Sequence, residues 1–98
     1  METLEQRMTQ GEQARQVLNN PAFAKAFDDI EREHVEAWKN SPARDPEGRE
    51  TLWMTVKLLY KLRSNLEAAM TDGRLARADL EHQAKLLAKD RAEGVILR

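Results

Sequence analysis

Apolar residues recur at helical spacing in two long stretches, separated by a block that helices avoid, Asn40-Ser41-Pro42-Ala43-Arg44-Asp45-Pro46-Glu47-Gly48. Before the block, Phe23, Phe27, Ile30, His34 and Ala37 fall at intervals of four and three, with Trp38 beside the last. Asp28, Asp29, Glu31, Glu33 and Glu36 occupy the other side. One apolar seam and one acidic face predict an amphipathic helix over 21–39. Asn19-Asn20-Pro21 predicts where it starts. Asparagine caps a helix, and proline is tolerated at the first position because its missing N–H would find no partner there.

After the block, Asp45-Pro46 reads as a cap followed by proline at the first helical position, launching a helix over 46–71. Leu52, Val56, Leu59, Leu66 and Met70 share one side of it, and Trp53, Leu58, Tyr60 and Leu62 widen the apolar arc. An arc this broad needs more than one neighbour. Thr71-Asp72-Gly73 predicts a stop, with glycine in the left-handed conformation and Leu75 folding back on the last turn. A final helix over 76–92 then carries Leu80, Ala84 and Leu87 until Gly94, leaving Val95-Ile96-Leu97-Arg98 as a short apolar end that either frays or docks on a partner.

The first stretch, 2–18, spaces Leu4, Met8, Ala14, Val17 and Leu18 helically, though Gly11 in its middle costs about 1 kcal/mol against alanine. The expectation is all-α: one domain over 1–98, an antiparallel helical hairpin or bundle of three to four helices with a linker at 40–45, and oligomeric. Oligomerisation is expected through Leu52, Val56, Leu59, Tyr60 and Leu66. At roughly 25 cal/mol per Å² of apolar surface buried, covering such a stripe is the largest energy available.

Composition narrows the function classes. Of 98 residues, 34% are charged and 5% aromatic, a balance that suits thin or oligomeric helical proteins. The absence of cysteine excludes disulfides, thiolate zinc sites and thiol catalysis. No run approaches the roughly 20 apolar residues of a membrane span, and no signal peptide pattern opens the chain, so a soluble, unsecreted protein with no membrane partner is expected. Residues 1–50 carry 7 Lys/Arg against 11 Asp/Glu and residues 51–98 carry 9 against 6, so halves at −4 and +3 can attract one another within or between subunits.

Candidate chemistry is sparse. Glu31-x-x-His34 has the spacing with which di-iron bundles share a metal, but such a site needs a second pair, and the other histidine, His82, directly follows Glu81. His34 sits on the apolar seam and reads as a packed histidine; no metal and no cofactor are expected. Lys57, Lys61, Arg63, Arg74 and Arg77 can touch phosphate, yet a solvated or intersubunit face accounts for them as well, and a tight helix-turn-helix signature is missing. Nucleic-acid contact is therefore expected to be indirect or weak. Trp38 and Trp53 bracket the linker and can meet across it, as core lids or as anchors for a partner. Ser41 and Ser64 have no histidine and acid partners in a catalytic pattern, so an enzyme is not expected.

The pattern Pro21-Ala22-Phe23, Ala37-Trp38-Lys39-Asn40-Ser41-Pro42, Arg49-Glu50-Thr51-Leu52-Trp53, Leu66-Glu67 and Asp72-Gly73-Arg74-Leu75-Ala76 resembles small all-α proteins of bacteriophage and prophage packaging and head gene clusters. Small terminase subunits, which form rings from helical hairpins, are the nearest named comparison, although this chain lacks the separate DNA-reading domain many of them carry. The resemblance implies a non-enzymatic assembly protein of phage head assembly or DNA packaging, in the bacterial cytoplasm or on the virion. It implies as partners other copies of the chain and another phage or host protein. The alternative is a small phage inhibitor that grips a host protein with the acidic face of Asp28 to Glu36.

Overall fold

The computed structural model describes the backbone of residues 1–97 and the side chains of residues 1–93. Three α-helices and no strand occur among them: α1 (Leu4–Leu18), α2 (Pro21–Asn40) and α3 (Pro46–Leu97). The molecule measures 82 × 25 × 17 Å. That length is set by α3, whose 52 residues at 1.5 Å each reach about 78 Å.

The local signals at the helix starts act as chemistry dictates. The Asn20 side chain accepts from the N–H groups of Ala22 at 2.8 Å and Phe23 at 3.2 Å, ahead of Pro21. Asp45 accepts from the Gly48 N–H at 3.1 Å ahead of Pro46. α1 begins after a reciprocal cap in which Gln6 N–H donates to the Thr3 hydroxyl and Thr3 N–H donates to the Gln6 side chain.

Two expected breaks do not occur. The helices predicted at 46–71 and 76–92 are one continuous α3, which passes through Thr71-Asp72-Gly73 and through Gly94. Gly73 keeps ordinary right-handed geometry, with no positive φ at any described residue. Leu75 is therefore exposed on the helix surface instead of folding back. A mid-helix glycine costs only about 1 kcal/mol, and tertiary contact outweighs it. Gly73 is buried against Gly11 of α1, and a Cβ built on Gly11 would stand 2.6 Å from the Gly73 Cα and 2.9 Å from the Ala69 carbonyl oxygen. The two glycines bring the α1 and α3 backbones together, and Ala14 and Ala76, both buried, extend this small-residue seam.

Contacts fall along α3 as they rise along α1 and α2, so both run against its direction. Arg7 meets Asp72 and Gly11 meets Ala69; then Phe27 lies under Arg63 and Trp38 meets Trp53. α1 covers the middle of α3 and α2 its start, with little contact between α1 and α2 themselves. The core is thin: Ala14, Phe27, Val56 and Ala76 are its buried apolar residues among those described. From Glu81 to Glu93, α3 extends past α1 with every residue exposed. The helix continues over 95–97, where an apolar end was expected; those side chains lie outside the described residues.

Candidate functional site

Two structural features flank the region where function is best sought. At the linker end, the rings of Trp38 and Trp53 lie 5.9 Å apart at 38°. The Arg49 guanidinium stacks 5.0 Å from the Trp38 ring and the Lys57 ammonium 5.8 Å from the Trp53 ring. Arg49 also donates to the Ser41 carbonyl at 2.9 Å, the Ser41 hydroxyl at 3.0 Å and the Trp38 carbonyl at 3.3 Å. A cation placed on the last carbonyls of α2 satisfies groups the helix leaves unpaired and complements its dipole. The pair of indoles is thus a lid over the linker end, with Trp53 still 40% exposed.

At the other end, Arg7 donates to the Asp72 carboxylate through Nε at 3.0 Å and Nη2 at 2.6 Å. This two-pronged bond holds Asp72 below the usual carboxylate range and Arg7 above its own. Between the two ends, the Arg63 guanidinium lies 4.7 Å from the Phe27 ring and 5.4 Å from the Tyr60 ring. The neighbouring Glu31 carboxylate, followed by partial burial, raises the Tyr60 phenol above its ordinary range.

The residues expected to form an oligomer contact divide. Val56, only 1% exposed, is enclosed by its own chain and is not available to a second one. Leu52, Leu59 and Leu66 are half-buried, and Tyr60 is engaged with Arg63 and Glu31. An arc wider than α2 leaves one flank bare, and α2 lies on the Val56 side. The bare flank is Met54, Leu58 and Leu62, of which Leu58 is 70% exposed. With Ile30, Thr55, Leu59, Lys61 and Asn65, Leu58 and Leu62 line an open apolar groove between α2 and α3.

The five basic residues do not make one surface. Lys57 and Arg63 are placed on aromatic rings, and Lys61 borders the groove. Arg74 and Arg77 line a cleft with Arg15 beside the Gly11–Gly73 contact, about 30 Å along the helix from Lys57. Nδ1 of His34 lies 2.8 Å from the Ile30 carbonyl oxygen. No three His, Asp or Glu side chains among the described residues stand close enough to hold a metal. No helix among them is long and apolar enough to cross a membrane.

The groove was only half legible in the sequence. Leu58 and Leu62 are visible as part of a wide arc, but no local signal says which flank the neighbour covers. A signal that does mark the face of α3 on which this flank lies is its spacing. Thr51, Met54, Leu58, Leu62, Asn65, Ala69, Gly73, Ala76, Leu80, Ala84 and Leu87 recur at 3-4-4 intervals, an 11-residue repeat. Its 3.67 residues per turn match a nearly straight helix, so these positions stay on one face for the length of α3. Comparison of the chain with protein families, with curated proteins and with solved structures finds no match.

Proposed function

We propose that the protein is a non-enzymatic helical assembly component that associates with copies of itself and serves phage head assembly or DNA packaging, in the bacterial cytoplasm or on the virion. The observation that carries the assembly reading is the bare flank of α3. Met54, Leu58 and Leu62 are 59%, 70% and 48% exposed on one face of a molecule two helices thick. Contiguous apolar surface of this type marks interaction sites in soluble proteins. The phage setting is supported by the resemblance over about residues 20–80, and the thin shape with little core suits a subunit stabilised by its neighbours.

Sedimentation velocity over a range of concentrations tests the assembly reading. Association that rises with concentration, and that Leu58→Glu weakens without loss of helical circular dichroism, is the expected result. A monomer at every concentration overturns it.

A second reading rests on a different surface. Asp28, Glu33 and Glu36 are exposed on α2, and an acidic helix face suits a basic groove on a host protein. A stoichiometric host complex that disappears on Glu33→Lys with Glu36→Lys, from a chain that stays monomeric alone, would favour this inhibitor.

A further inference from the structure

The sequence of α1 recurs inside α3. The pattern Leu-Glu-x-x-Met-Thr-x-Gly-x-x-Ala-Arg-x-x-Leu runs over 4–18 and again, 62 residues further on, over 66–80. In the fold the two copies lie against each other in opposite directions, with Gly11 on Gly73. Their contacts are reciprocal: a Cβ on Gly11 would meet the carbonyl oxygen of Ala69, four residues before Gly73, and a Cβ on Gly73 would meet that of Arg7, four residues before Gly11. Ala14 and Ala76, at matching places in the pattern, are both buried. Such reciprocity marks a local two-fold axis through the glycine pair.

A cleft of about 160 Å³ opens on this axis. Its lining residues come as matched pairs under the same 62-residue shift: two methionines, two glycines, Arg15 with Arg77, and Glu12 with Arg74. The space is several times the share of one water, about 30 Å³, so a tetrahedral oxyanion fits with part of its hydration. The crossing gathers three guanidinium groups against one carboxylate, a net of two positive charges in a chain whose total is −1. Backbone contact at the glycines limits how far the arginine-bearing turns can separate. A recess lined mainly by one sign of charge concentrates its field on an anion.

One carboxylate already shows the grip. Glu12 accepts from Arg15 through Nε at 2.9 Å and Nη2 at 2.5 Å. These hydrogen bonds first, with the charge of Arg77 adding in smaller measure, hold Glu12 below the usual carboxylate range. Arg74 and Arg77 belong to no ion pair among the described residues. Arg74 makes only a long contact, 3.7 Å from Nη2 to the Met70 sulfur. Both are exposed and keep donors for an acceptor from outside.

We propose that the cleft at the α1–α3 crossing is an oxyanion site that takes a phosphate group, held by Arg15 and Arg77 from the two helices and by Arg74 beside them. The planar fork of a guanidinium matches phosphate oxygens two at a time. Glu12 is then an internal competitor that releases Arg15 when phosphate enters. The site is separate from the bare flank of α3 and stands whether or not the chain associates with itself.

Arginine Nε–Hε resonances in NMR give one reporter for each side chain. Inorganic phosphate replacing chloride at constant ionic strength, so that screening is fixed, should shift Arg15, Arg74 and Arg77 along one saturating curve. Arg44 and Arg91, exposed elsewhere, should not move. Arg77→Gln keeps a good helix former, and circular dichroism checks its helix content; it should weaken binding at the other two about tenfold. Glu12→Gln should tighten binding several-fold, whereas Glu5→Gln, the same change of charge outside the cleft on α1, should leave it unchanged. A short DNA duplex distinguishes the source of the group: displacing phosphate from the three arginines assigns the site to a polymer's phosphates, and failing to displace it assigns the site to a small phosphorylated molecule. No saturable shift with inorganic phosphate, equal shifts at Arg44 and Arg91, or equal tightening by Glu5→Gln and Glu12→Gln overturns the site.

Discussion

Gly73→Ala is the most direct test of how this fold is held. In an exposed helix interior the change stabilises by about 1 kcal/mol, because alanine is the better helix former. Here the new Cβ would stand 2.7 Å from the Gly11 Cα and 3.2 Å from the Arg7 carbonyl oxygen. Both obstacles are backbone atoms, which cannot rotate away, so α1 must withdraw from α3 by about 1 Å, the shortfall from ordinary contact near 3.5–4.0 Å. Overpacking of this type costs about 1–3 kcal/mol. Withdrawal also loosens the buried contacts of Ala14 and Ala76 and misaligns the two-pronged Arg7–Asp72 bond. After subtracting the helix-propensity gain, a net loss of up to about 2 kcal/mol remains. For a chain of this size each kcal/mol moves the melting temperature by about 4–8 °C, so a fall of several degrees is expected in thermal unfolding followed by circular dichroism. Amide exchange should quicken in α1 and much less in α2. Ala84→Gly, on the projecting helix with no neighbour across from it, should cost no more than about 1 kcal/mol. A Gly73→Ala protein that melts higher than the parent, with α1 exchange unchanged, would refute the close crossing.

Three further outcomes follow from the same geometry. Val56→Ala should cost about 2 kcal/mol in denaturant titration, since two buried methyl groups are lost and a cavity remains, whereas Leu58→Ala at its exposed site should change monomer stability little. Tyr60 is the only tyrosine, so absorbance of the phenolate near 295 nm follows it alone; its pKa is raised by Glu31, and Glu31→Gln should bring it down, while an unchanged titration would show that Glu31 is not its partner. Because the folded pKa of Tyr60 lies above the unfolded one, this pairing supports the fold below the ordinary tyrosine range and is lost as pH rises through the raised value. Asp72 has the opposite sign. Its pKa is lowered by Arg7, so its contribution is present above the ordinary aspartate range and fades as acid carries the pH down through the depressed value, and Asp72→Asn should flatten that part of the stability profile.

The elements that were legible in the sequence are those written in short-range chemistry. The capping side chains Asn20 and Asp45, each followed by proline, locate the starts of α2 and α3 because a cap is satisfied within three residues of itself. The seam of Phe23, Phe27, Ile30, His34 and Ala37 states only in part which face of α2 turns inward: Phe27 is buried and Phe23 and His34 half-buried, while Ile30 and Ala37 are exposed. Trp38 and Trp53 bracket the linker closely enough that their meeting follows from chain connectivity.

What local reading could not supply is what depends on a residue far along the chain. Gly73 alone looks like a helix terminus and Gly11 alone like a weak point in α1; only when the two face each other does their lack of a side chain become the reason the helices touch. Which flank of the apolar arc stays bare was equally undetermined, since Val56 and Leu58 are alike in hydrophobicity and only the side taken by α2 separates a core residue from an exposed one. By itself the sequence determined that this chain is helical and where two of its helices begin, because hydrogen-bond capping and apolar periodicity are local. The tertiary structure alone decided that α3 is a single rod and which of its surfaces is left for others, because backbone approach and burial are relations between distant segments.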